Sequence, residues 1–280
     1  MAAKFFGQFL LEKGAIDAAQ LLRALEIQRV SNPALGEIAC EKGMLTADQA
    51  IAINERQRRD DKRFGDIAQS MGLLTSDEVG VLLDEQKSRR KLFGEILVEE
   101  GFLDRARLEA ELRLHAGERD EAMRSLDALQ AAHQLGRRMG NSIATCNKLF
   151  PRLLRTQCQF SSVADPKNPP PANVMALVRV AADRPLAIGI ACDTATMQAM
   201  AQAFLSIPPD ACDDELALDA LGELVNVLMG YVVKDSLPED ASYRASPPDF
   251  ETPLSALDDG MHVLASMTSQ LGPFLLVLGD

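Results

Sequence analysis

The chain has 280 residues, 47% hydrophobic and 25% charged, proportions that exclude wholesale disorder and leave room for two separate cores. Its net charge of −12 is uneven: residues 1–149 hold 22 Lys and Arg against 24 Asp and Glu, and residues 150–280 hold 7 against 17. So acidic a second half excludes nucleic acid as its partner, because phosphate binding needs a basic surface, and favours a protein with basic edges. The five cysteines, Cys40, Cys146, Cys158, Cys192 and Cys212, are scattered and form no CxxC pair. They predict reduced thiols, no disulfide framework and no metal site. No apolar run in the sequence approaches the roughly 20 residues of a membrane span, and the first residues lack a cleavage site. The expectation is a cytoplasmic protein without membrane insertion.

From the first residues a repeat is visible. Gly7, Gly36, Gly65 and Gly94 lie 29 apart, as do Gly14, Gly43, Gly72 and Gly101. Gln28, Gln57 and Gln86 keep the same register, with His115 in the fourth place. Several independent positions in one register make four copies of a helical unit. Each copy reads as a helix pair: a short apolar helix stops at the later glycine, which tolerates the left-handed turn. A capping residue follows, Asp17, Thr46, Thr75 or Asp104. Gln20, Gln49 and Glu78 complete a capping box in three copies, and Arg107 breaks it in the fourth. The second helix carries apolar residues at helical spacing, Leu21 and Leu25 in the first copy and Leu108 and Leu112 in the last. The earlier glycine of each copy implies a close approach to the backbone, by a neighbouring helix or by a ligand.

The run Phe6-Gly7, Leu10, Gly14, Leu21, Leu25, Gln28 resembles the motif of the amino-terminal domains of type II secretion and pilus ATPases, the MshE-N class. Over residues 4–115 the resemblance implies two pairs of copies, and in that family such pairs bind cyclic di-GMP. The family's motif opens with Arg, and the matching positions here are Phe5, Ala34, Arg63 and Leu92; Ala50 and Asn54 replace expected leucines. The resemblance therefore places a dinucleotide at the third and fourth copies, on Arg63, Phe64, Gly65, Gly72, Gln86, Gly94 and Gly101. The other reading of this half is a docking or oligomerisation module.

Residues 117–140 are charge-rich, with Met123, Leu126, Leu129 and His133 at helical spacing, and predict a connecting helix that could pair with itself. From residue 141 the pattern changes to α+β: a weak helix over 141–151, then β segments at 153–163, 174–182 and 186–192, the last two forming a hairpin. A proline-rich loop covers 165–171. Helices follow at 194–205 and 213–236, then strands at 242–245, 262–268 and 274–278. The expected architecture is multidomain: all-α repeats over 1–116, the connecting helix, and an α+β domain over 141–280 with a mostly antiparallel sheet and two long helices.

The helix over 213–236 carries the chemistry. At 100° per residue, Asp219, Glu223, Asn226 and Gly230 fall within about 60° of one another. Leu221, Leu224, Val225, Val227, Leu228, Tyr231 and Val232 fill most of the rest. Such a narrow polar stripe on an apolar helix is either a solvated edge or a site.

Asp219-x-x-x-Glu223-x-x-Asn226, with Leu221-Gly222 and Gly230 beside it, resembles the phosphatase motif of the CheX, CheC and FliY proteins. The resemblance implies a phosphatase that hydrolyses the aspartyl phosphate on a response-regulator receiver domain. Glu223 and Asn226 would be catalytic, and Asp219 and Gly230 would contact the partner. The Mg²⁺ would belong to that partner, and this chain would carry no cofactor of its own. A homodimer joined edge to edge through its sheets is implied as well. The alternatives are a non-catalytic scaffold and a cyclic di-GMP receptor.

Overall fold

The computed structural model describes residues 5–60, 62–236, 238, 242–257 and 261–280. Its described residues divide into two compact units, one within 7–112 and the other within 113–280 together with residues 5 and 6.

The repeat unit is built from α1 (Phe6–Glu12), α2 (Ala18–Ser31), α3 (Leu35–Glu41), α4 (Ala47–Asp60), α5 (Phe64–Ser70), α6 (Ser76–Arg89), α7 (Phe93–Glu99) and the start of α8 (Arg105–Ala132). Every short helix ends the same way. Gly14, Gly43, Gly72 and Gly101 adopt φ of 65 to 70°, a region without penalty only for glycine. Ala15 donates its N–H to Leu10 and Gly14 to Leu11, at 2.9 and 3.0 Å, which closes the helix in a Schellman turn. The same two bonds recur after α3, α5 and α7. Capping boxes close α2, α4 and α6; at Asp17 and Gln20 the reciprocal bonds are 2.8 and 2.9 Å. In the fourth copy only the Asp104 half forms, accepting from Arg107 N–H at 2.8 Å.

The copies do not pair in chain order as the first with the second and the third with the fourth. The second packs on the third, α3 against α6 and α4 against α5, around Ile38, Ile53, Ile67, Leu74 and Leu82. The first packs on the fourth, α2 against α7. Asn32, at the end of α2, grips the Lys91 backbone twice, donating to its carbonyl at 3.1 Å and accepting from its N–H at 2.8 Å. The early glycines are explained by neighbouring helices. A Cβ on Gly7 would lie 2.8 Å from Leu21 and 3.3 Å from Phe93, and one on Gly36 would lie 3.0 Å from Phe64. Leu108 is buried as expected, but Leu25 and Leu112 are 41% and 43% exposed, and Ala24 takes the inner position in the first copy.

Residues 117–140 are not one connecting helix. α8 runs on to Ala132, His133–Leu135 break it, and α9 (Gly136–Leu153) begins. At the break, His133 Nδ1 accepts the Leu135 N–H at 3.1 Å. The lower part of α8 buries Ala122 and Leu126 in the core of the second unit and leaves Met123 exposed, so its apolar face is covered within the unit. α9 buries Met139, Ile143, Cys146 and Phe150, spaced 4, 3 and 4 apart. It continues through Pro151, and the strand expected from residue 153 starts only at Cys158. Phe150, stacked on Phe274 at 4.9 Å, keeps this last turn folded against the sheet.

The sheet is formed by β1 (Cys158–Ala164), β2 (Val174–Ala181), β3 (Leu186–Cys192), β4 (Arg244–Ala245), β5 (His262–Ser269) and β6 (Gly272–Gly279). Its order is β1-β5-β6-β3-β2-β4, with every described pairing antiparallel. The tight turns after β2 and β5 make the two hairpins. Strand alternation sorts the side chains. Val178, Ile188, Ile190, Leu276 and Leu278 face α9, α10 (Thr194–Leu205) and α11 (Asp214–Ser236), and the lower part of α8 joins the same core, so the domain is packed by more than the two long helices expected. Leu177, Leu264, Leu275 and Val277 face the other way and are covered by Leu254, Leu257 and Ala172. By length and composition α11 is apolar enough to span a membrane, contrary to the sequence reading, but over half of that stretch is buried here as a core helix.

Candidate functional site

α11 begins behind an acidic turn. Asp213 accepts the Leu216 N–H at 2.9 Å, and Asp214 and Glu215 lie in the first turn, at the positive end of the helix dipole. Gln198 on α10 donates to Asp214 at 2.6 Å and ties the two helices together. Ala217, Ala220, Leu221, Leu224, Val225, Leu228 and Val232 recur every three or four residues and are buried, which fixes the helix's rotation on the sheet.

That rotation leaves the polar stripe outside. Asp219, Glu223 and Gly230 are exposed and Asn226 is half-buried. Among the described residues, none hydrogen-bonds or ion-pairs with the Asp219, Glu223 or Asn226 side chains. A Cβ added at Gly230 would meet nothing within 4 Å, so no contact among the described residues demands a glycine there. On one side the stripe is bordered by exposed or half-buried apolar side chains, Leu216, Val227 and Tyr231; Tyr231 is 41% exposed, although the sequence placed it on the apolar face.

On the other side, at Gly222, the chain that follows β4 lies on the helix. A Cβ at Gly222 would sit 2.9 Å from Phe250 Cζ and 3.2 Å from Pro248 Cγ. This segment runs along β2: Ser246 N–H donates to Arg179 at 2.8 Å, and Asp249 and Leu177 exchange backbone bonds of 2.8 and 2.9 Å. Asp249 Oδ2 meets the Arg179 guanidinium at 2.6 Å and accepts the Thr252 hydroxyl at 2.6 Å. The Arg179 contact first, then the Thr252 hydroxyl, holds the Asp249 carboxyl well below the usual carboxylate range. Sequence reasoning missed Arg179, Pro248, Asp249 and Phe250, and named Gly222 only as a neighbour of the motif. The available signals were a glycine inside a buried helix and Pro247-Pro248-Asp249-Phe250 after a short strand.

The site has no thiol nucleophile. Burial pushes the Cys158 and Cys192 thiols up to about 12 and Cys146 well above its ordinary value. Among the described residues, no group of three His, Cys, Asp or Glu side chains could hold a metal ion. The arrangement suits orienting a group brought by another molecule.

The residues tied by resemblance to a dinucleotide are largely engaged within the repeat unit. Phe64 lies against Gly36, while Val79 and Leu108 cover Gly65 and Gly94. Gly72 and Gly101 form helix-ending turns, and Gln86 donates to the Pro33 carbonyl at 3.0 Å. Arg63, at the N-cap of α5, is exposed and makes no side-chain capping bond.

No curated protein matches the chain. Among solved structures, a putative chemotaxis protein from Desulfovibrio vulgaris Hildenborough is similar, with a TM-score of 0.42 and 15% identity over 51% of this chain and 95% of that one. A chemotaxis protein CheX from Desulfovibrio desulfuricans gives 0.43 and 15% over 51% and 97%. The CheX-CheY-BeF3-Mg complex from Borrelia burgdorferi gives 0.38 and 15% over 50% and 95%. Residues 174–254, which hold β2, β3, α10, α11, β4 and the segment lying on Gly222, match the family model of the chemotaxis phosphatase CheX.

Proposed function

We propose that this chain is a cytoplasmic signalling phosphatase that hydrolyses the aspartyl phosphate of a receiver domain. The observation that carries the reading is the outward, unengaged Glu223 and Asn226 on an otherwise buried helix, inside the region that matches CheX. These residues lie one turn apart, about 4.5 Å along the helix axis. Glu223, a carboxylate on an acidic surface, pairs with a lysine of the partner and fixes the register. The Asn226 carboxamide, donor and acceptor at once, holds a water in line with the phosphorus. Hydrolysis of an acyl phosphate is helped mainly by placing that water, so neither residue needs an unusual basicity. Mg²⁺ would be held by the receiver's own residues and would supply charge neutralisation at the phosphoryl oxygens. Gly230, with open space before it, admits the partner's backbone.

The repeat unit acts as a docking or regulatory module. The engagement of Phe64, Gly65, Gln86 and Gly94 within it favours protein docking over nucleotide binding.

The test is loss of label from phosphorylated receiver domains. The full chain accelerates it, and Asn226→Ala and Glu223→Ala each remove the acceleration, by about 100-fold or more, in folded protein. If every receiver from the same cell keeps its label at the spontaneous rate, the hydrolase reading fails.

A further inference from the structure

Among the described residues, one side of the stripe is bordered by a segment hydrogen-bonded to the sheet edge. Residues 246–252 extend the sheet beyond β2, and strand alternation gives this strap two faces. Pro248 and Phe250 turn toward α11 and meet it at Gly222, the residue before Glu223. Asp249 turns to the opposite face and is held there by the Arg179 guanidinium, with Glu251 and Thr252 N–H groups donating to its other oxygen at 2.9 and 3.1 Å. Arg179 also donates to the Thr252 hydroxyl at 3.2 Å. The strap is thus tied to the sheet on one side and wedged against the helix on the other. The fit at Gly222 leaves no room for a methyl group, so a shift of Phe250 is transmitted directly to the backbone that carries Glu223.

We propose that residues 246–252 are a brace that sets the position of the Glu223–Asn226 turn, with Phe250 as the positioning residue and the Arg179–Asp249 pair as its anchor. The proposal rests on the phosphatase reading of that turn and assigns the precision of the site to a segment that touches no substrate. A misplacement of reacting groups by about 1 Å can lower a rate by up to two orders of magnitude, so a loosened brace acts on turnover more than on docking.

Two measurements on the full chain decide it. In amide hydrogen exchange, Phe250→Ala speeds exchange over residues 219–226 by about tenfold and leaves β3 and β6 unchanged. Unchanged exchange at 219–226 overturns the brace, whether or not the protein is a phosphatase. With a phosphorylated receiver, the same variant lowers kcat about tenfold and keeps KM within about twofold, and Phe250→Leu restores most of the loss. A loss confined to KM overturns the positioning role. If wild type itself gives no acceleration, the phosphatase reading fails and the exchange result alone decides the brace. Should Phe250→Ala unfold, Asp249→Asn, which keeps the size and removes the charge facing Arg179, is expected to speed the same exchange about threefold; no increase then overturns the proposal.

Discussion

The repeat unit and α11 use polar residues in opposite ways. In the repeats, the recurring polar and glycine positions are satisfied inside the fold. Asp17, Thr46 and Thr75 cap helices, Asn32 grips the Lys91 backbone, Gln86 closes on Pro33, and the later glycines make left-handed turns. On α11 the equally regular series Asp219, Glu223, Asn226, Gly230 satisfies nothing among the described residues. Regular spacing alone therefore does not mark a site.

The comparison can be broken by stability measurements, because it predicts that substitutions in the repeats destabilise and substitutions in the stripe do not. The largest effect belongs to the shared core of the second and third copies. Leu82→Ala, fully buried there, should lower the unfolding free energy of the repeat unit by about 2–5 kcal/mol in urea titrations. Next comes Gly72→Ala. At φ of 68° a Cβ is strained although it would have space, so a loss of about 1–2 kcal/mol is expected. The smallest effect is that of Asn226→Ala, expected within about 0.5 kcal/mol of wild type because no internal bond is lost. A loss of 2 kcal/mol or more for Asn226→Ala would place that residue with the structural polar groups and remove the contrast.

Much of this was legible in the sequence because the signals were local. Schellman glycines, capping boxes, the hairpin between β2 and β3, and the strands near 262–268 and 274–278 each depend on a few neighbouring residues. The outward stripe followed from the same local logic, since most of the apolar positions on α11 lie on the face opposite it. The misread features depend on distant partners. Copy pairing is decided by which faces fit, and a sequence that repeats evenly offers no preference for chain order. Pro151 read as a helix end, but stacking of Phe150 on Phe274, far along the chain, carries α9 past it. The brace was invisible because Gly222 acquires its meaning only when Pro248 and Phe250 arrive beside it.

The crossed partnership of the copies has a consequence for how the chain is made. The second and third are sequence neighbours and can close on each other as soon as both have been synthesised. The first packs on the fourth, α2 against α7 and Gly7 against Phe93, and cannot make those contacts until the fourth has appeared. Loop-closure entropy grows only with the logarithm of the spacing, so the delay weakens the final assembly little. It does make the first copy the segment most open to chaperones and proteases during translation, and a chain stopped after the third copy would strand it.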